Sequence, residues 1–180
     1  MVKNKTYLNV IETLKKLGRQ HYFINTTSVG DIFDINLEKE EIFPLMHINP
    51  TSVTTGSNQL NYNFQIFVCD LVSEKADWNN GSVTSKNLTN EIDVFNDTLQ
   101  TCVDIISIFR NSQWQAQNDP ATTTGDINAP VYFTDGDYTI EPFTERFDNL
   151  LTGWVFSMTV VVQNSFDSCD TPMSSEAIGQ

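Results

Sequence analysis

Carboxylates, histidines and tryptophans are the residues of this chain whose chemistry and spacing bear first on function. Acidic clusters stand at Glu38, Glu40 and Glu41 and again at Asp167 and Asp170. Two carboxylates held face to face can divide acid and base roles in hydrolysis. Nothing in their spacing gives these a common site, so solvated charge is the expectation. His21 and His47 are far apart and in no ligand-like spacing, and each reads as a surface or internally satisfied imidazole. Asp135-Gly136-Asp137 shares acids with a calcium loop but lacks the remaining spaced acids and the closing glutamate, which leaves a plain turn. Trp78, Trp114 and Trp154 offer faces for stacking on a sugar or base. Trp154 opens a strand and is expected in the core, whereas Trp78 and Trp114 fall in polar surroundings and are the contact candidates. No nucleophile elbow, phosphate-binding glycine loop or zinc-binding helix motif occurs. The expectation is no catalytic residue, no cofactor-binding residue and no metal ligand.

Positioning any such group requires a core, and the composition allows one. The 180 residues suit a single domain, and 39 % are hydrophobic, including twelve Phe and three Trp, which is too apolar for a disordered chain. Against ten bases stand 23 acids, for a formal charge of −13. Such a field repels DNA phosphates and anionic membrane surfaces, which argues against a protein that grips the nucleic-acid backbone. Residues 1–20 are charged and helix-patterned rather than leader-like, and no segment approaches the roughly 20 apolar residues that span a bilayer. Cys69, Cys102 and Cys169 match neither a disulfide framework nor a zinc knuckle. Cys69 and Cys102 lie in apolar segments and are expected as buried thiols of a protein made in a reducing compartment. Sequons at Asn4, Asn25, Asn80, Asn87 and Asn96 are attributed to the abundance of Asn, Ser and Thr.

Periodicity predicts the elements. Tyr7, Val10, Ile11, Leu14 and Leu17 form one face of an N-terminal helix, with Gly18 marking its end. Strands are predicted over 31–37 and 42–48, the second at an edge or with Pro44 near its start. Residues 49–61 read as a polar loop, long enough for a functional projection. Tyr62, Phe64, Ile66 and Val68 alternate with polar residues in a half-buried strand. After the turn Asn79-Asn80-Gly81 comes the best helix, over 90–111, with a broad stripe of Phe95, Leu99, Cys102, Val103, Ile106 and Phe109 widened by Ile105 and Ile108. Residues 112–129 read as a polar connection. Segments 131–133 and 138–140 flank Asp135-Gly136, a hairpin signal, and 142–151 reads as a bulge or irregular crossing. The clearest strand is 153–163, and 164–180 is expected as an extended or flexible tail.

This order of elements resembles the tail-terminator proteins of tailed bacteriophages, over about residues 6–163. The likeness is carried by Phe43-Pro44 ahead of Leu45-Met46, by Gln65-Ile66-Phe67-Val68, by the helix over 96–110 and by the segment Trp154 to Val160. Head–tail joining and neck proteins are similar. The stretches 112–129 and 164–180 make this chain longer than the compact members. The resemblance implies an α+β fold, a mostly antiparallel sheet with two main helices packed on it, assembled as a homo-oligomeric ring, a hexamer or dodecamer. It implies head, neck and tail-tube proteins as partners, genomic DNA passing through the lumen without specific binding, no cofactor, and a place in the virion.

The residues agree in three respects. An over-wide apolar helix and edge-type strands suit a subunit that completes its burial against a neighbour. The segment 49–61 suits an arm reaching another protein. The acidic balance suits a channel in which DNA slides without sticking. A non-enzymatic virion protein at the head–tail junction is therefore the expected function. The alternative is a soluble ligand- or carbohydrate-binding module using Trp78 and Trp114. A small hydrolase built on Asp135 and Asp137 ranks third.

Overall fold

The computed structural model describes residues 7–31, 42–72, 90–118, 132–134, 136–146 and 150–163. Helix α1 spans Tyr7–Gln20, and its stripe falls as the spacing predicts: Val10, Ile11, Leu14 and Leu17 are buried, while Tyr7 at its head stays exposed. Gly18 does not end the helix. It lies where α1 crosses strands β1 (Thr26–Val29) and β2 (Leu45–Gly56). A Cβ at this position would strike the Thr27 methyl and sit 2.7 Å from the Met46 sulfur. Close approach, not helix termination, is what calls for glycine here.

Two further helices and four strands follow among the described residues: β3 (Gln59–Leu71), α2 (Glu91–Phe109), α3 (Ser112–Asn118), β4 (Phe133–Thr134), β5 (Ile140–Arg146) and β6 (Leu150–Gln163). The strands form one six-stranded sheet in the order β1-β2-β3-β6-β4, with β5 also paired to β6. Among the described strands only β1 and β2 run parallel; β2, β3 and β6 are antiparallel neighbours. The fold is α+β, a mostly antiparallel sheet with two main helices, as expected. Among the described residues no helix is long and apolar enough to cross a membrane.

The polar segment 49–61 is not a loop. Strand β2 continues through it to Gly56, and β3 begins at Gln59, so only Ser57 and Asn58 turn the chain. Asn58 takes φ 60°, the left-handed conformation that asparagine tolerates. Threonine-rich segments suit a pleated strand despite their polarity. The hairpin is also no free arm, because β6 pairs along the whole of β3, from Gln59↔Gln163 to Leu71↔Leu151. Pro44 stands just ahead of β2, and Pro50 falls where the β2–β3 register shifts, as a residue without an N–H requires.

The Asp135-Gly136 hairpin is also overturned. Strands β4 and β5 do not pair with each other; both lie antiparallel along the same edge of β6, as one interrupted strand. The register passes from Thr134↔Val160 to Ile140↔Phe156, six positions on the outer strand against four on β6. Gly136, at φ 81°, takes up part of that excess. Turn chemistry is the same in a bulge and a hairpin, so it could not decide between them. Residues 142–146 belong to β5 and 150–151 to β6, so the expected irregular crossing is a second hairpin. The polar connection contains α3, and β1 was unexpected. The predicted strand 31–37, the turn at Asn79-Asn80-Gly81 and the tail 164–180 fall, apart from Asp31, outside the described residues.

Alternate residues of the central strands meet the helices. Met46 and Ile48 of β2, Phe64, Ile66 and Val68 of β3, and Phe156, Met158 and Val160 of β6 pack with Leu14 and Leu17 of α1 and Cys102, Ile105 and Phe109 of α2. The opposite face has a smaller cluster of Phe43, Leu45, Cys69 and Leu151. The buried side of α2 is rotated from the predicted stripe: Val94, Thr98, Thr101, Cys102, Ile105 and Phe109 are buried, and Val103 is exposed. The hydroxyls of Thr98 and Thr101 donate to the carbonyls of Val94 and Asp97 one turn back, so their methyl sides can face the sheet.

Candidate assembly surface

Rotation of α2 leaves apolar side chains in water. On its outer side Ile92 is 67 % and Val103 43 % exposed. Roughly 100° round the helix from them run Asp93 and Asp97, both exposed, and Asp104, in a line at helical spacing. Acidic Glu91 and Asp93 in the first turn also suit the positive end of the helix dipole. Helix α1 shows the opposite charge. Its outer side carries Leu8, 63 % exposed, with Lys15, Lys16 and Arg19, and the fully exposed Tyr22 follows its end. Lys15 is paired with Glu12 at 3.3 Å. Among the described residues Lys16 and Arg19 have no ion pair, and His21, just past the end of α1, places Nε2 3.4 Å from Asp104 of α2. One chain thus presents a basic helix and an acidic helix, each with uncovered apolar side chains.

The other face of the sheet is chemically different. Gln59, Asn61, Asn63 and Gln65 project from the central strand β3 on the side away from the helices. Opposite them lie Gly56, Thr54, Ser52 and Asn49 on β2 and Gln163, Val161, Thr159 and Ser157 on β6. None of these carries a charge. Asn63 ties the three strands together: its amide donates to Ser52 Oγ at 3.0 Å and its oxygen accepts from the Thr159 hydroxyl at 2.7 Å. The Asn61 side-chain oxygen is buried without a hydrogen-bond partner. On the helix side, a shallow groove of about 360 Å³ lies between Tyr7 at the head of α1 and Pro50, Val53, Tyr62 and Phe64 of the hairpin.

Among the described residues, those singled out for chemistry do not converge. His47 is buried and satisfied within the sheet: Nε2 stands 2.9 Å from the Gly30 carbonyl and Nδ1 2.7 Å from Ser28 Oγ. A carbonyl only accepts, so Nε2 holds the proton and Nδ1 accepts from the serine. Burial holds the His47 pKa below its ordinary value, against weaker opposing effects of the Gly30 carbonyl and the Asp31 charge. Cys69 and Cys102 are buried free thiols, both pushed up by burial, Cys102 to about 12, and so unreactive. The Trp114 indole donates to Gln20 Oε1 at 3.0 Å, and that of Trp154 to the Phe95 carbonyl at 2.7 Å. Asp137 is exposed. Trp78, Asp135, Glu38, Glu40, Glu41, Asp167, Asp170 and Cys169 lie outside the described residues. Among the described residues no group of His, Cys, Asp and Glu could hold a metal ion.

Periodicity had overlooked Gln115. This buried glutamine donates to the carbonyls of Phe109 and Tyr132 and accepts from the Tyr132 N–H at 2.9 Å. It clamps the end of α2 to the chain entering β4. A polar helix gives no hydrophobic signal, and only the burial reveals the role. No known family model matches the chain, and no curated protein matches it.

Proposed function

We propose that this chain is a non-enzymatic structural protein of a tailed-phage virion, closing into a homo-oligomeric ring at the head–tail junction as a tail terminator or neck protein. The observation that carries this reading is the apolar surface left on the outer sides of both main helices and just past the end of α1: Leu8, Tyr22, Ile92 and Val103 face water in a single copy. Side chains of this size are accommodated at an interface with a neighbour. The resemblance in element order supplies the biological setting. With the helices used between copies, the uncharged face of β2, β3 and β6 is the side left for the channel. DNA phosphates meet no lysine or arginine there, and the amide and hydroxyl groups offer no cationic grip. The partners are the head, neck and tail-tube proteins above and below.

Native mass measurement of the purified protein, together with imaging of virions carrying a labelled subunit, tests the proposal. The expected result is a hexamer or dodecamer in solution and label confined to the neck. A protein that remains monomeric at high concentration and is absent from the virion would refute it.

A further inference from the structure

We infer that the ring contact joins the outer side of α1 in one copy to the outer side of α2 in a second copy, a proposal that rests on the assembly reading above. The occupant is identified by charge. Lys16 and Arg19 on α1 are exposed without an ion pair among the described residues, and α2 presents Asp93 and Asp97, also exposed. In an acidic chain, −13 overall, two random faces of like copies repel each other. Among the described residues, the outer side of α1 gathers three bases, and an identical acidic α2 attracts it. On the outer sides of the same helices stand Leu8, two to three turns along α1 from those bases, and Ile92, beside Asp93 at the head of α2, 63 % and 67 % exposed. An apolar centre beside opposite charges is the composition of a specific contact: burial supplies affinity and charge sets orientation and partner. The same pairing disfavours α1 on α1 and α2 on α2, which place like charges together.

The test uses two double variants of the full chain, Lys16→Glu with Arg19→Glu and Asp93→Lys with Asp97→Lys. All four residues are exposed, so neither variant disturbs the core. Each variant alone is expected to self-associate about tenfold or more weakly than the wild type. Mixing the two restores assembly, because the acidic α1 of one then meets the basic α2 of the other. Raising salt weakens the wild-type contact and the mixed one alike. Native mass spectrometry reads all three states. Wild-type rings that survive both reversals overturn the α1–α2 contact and leave the ring intact. Rescue by mixing that stops at a pair of subunits upholds the contact and refutes the ring. A wild type that never associates overturns the α1–α2 contact, and its absence from the virion as well would overturn the ring.

Discussion

Gln115 and Tyr132 are locked together across the gap between α3 and β4, the glutamine side chain accepting from the Tyr132 N–H and donating to its carbonyl. The tyrosine ring in turn stacks on Phe109 with centroids 6.1 Å apart, and its hydroxyl lies 3.5 Å from that of Thr13 on α1. One polar side chain thus fixes the relative placement of α1, α2 and the outer edge of the sheet. The Gln115→Ala variant leaves the Tyr132 N–H and the carbonyls of Phe109 and Tyr132 without this partner in a buried site. It is expected to cost about 2–4 kcal/mol. Urea denaturation measures this directly, and an unchanged midpoint would show that water replaces the amide at no cost.

Two glycines separate backbone crowding from side-chain crowding. At Gly153 on β6 a Cβ would run into the Val68 carbonyl and the Cys69 Cα of the neighbouring strand, which cannot swing aside. Gly153→Ala is expected to destabilise by about 1–3 kcal/mol. At Gly18 the obstacles are the side chains of Thr27 and Met46, and alanine favours the helix. The net change for Gly18→Ala is expected to stay within about 1 kcal/mol. Thermal melts of the two variants should therefore rank Gly18→Ala above Gly153→Ala; the reverse order would contradict this account.

Protonation of His47 is expected to loosen β1. The folded protein holds this imidazole neutral, with a pKa lowered from 6.5 chiefly by burial. The unfolded chain therefore takes up the proton more readily. The stabilising contribution is present in full above pH 6.5 and is lost as the pH falls through the lower, folded value. A charged ring also cannot accept from Ser28, whose hydroxyl must turn round to accept from Nδ1–H instead. Hydrogen exchange across Thr26–Val29 should quicken on going from about pH 7.5 to about pH 5 by more than chemical exchange explains. A His47 resonance that titrates above its ordinary range would rule this out.

Regular burial made some of these elements legible in advance and irregular burial hid others. The stripe of Val10, Ile11, Leu14 and Leu17 and the alternation of β3 and β6 come from segments with one dry face, where pattern and structure must agree. Strand β1, Thr26–Val29, is short and nowhere fully buried, so it leaves no such mark. Residues 49–56 form strand, not loop, and among the described residues the far half of β2 has a strand on one side alone, which leaves its polar side chains exposed. The turn of α2 that buries Thr98 and Thr101 in place of Val103 is set by hydroxyls bonding to their own helix, which hydrophobicity does not register. For the same reason the candidate surface was only half visible. The excess of apolar residues on α2 could be read from the chain, but which of them face water depends on that rotation.

Asp70 is the counterpart of His47 at the opposite charge. It lies on the helix side of β3, and burial raises its pKa above 3.8, with the nearby Asp97 charge adding to the effect and the hydrogen bond from the Leu71 N–H at 2.7 Å opposing it. A carboxyl raised on folding favours the folded state below its unfolded value and loses that contribution as pH rises through the folded value. At neutral pH the charged Asp70 is therefore a net burden. Asparagine keeps an oxygen for the Leu71 N–H and removes the charge. Asp70→Asn is expected to stabilise the protein at pH 7 by a few tenths to about 1 kcal/mol, since solvent screens a half-buried group. The advantage should shrink as acid neutralises the aspartate in the wild type. Urea titrations of both proteins at neutral and acidic pH test this, and a variant less stable at pH 7 would mean that Asp70 makes a favourable contact outweighing its desolvation.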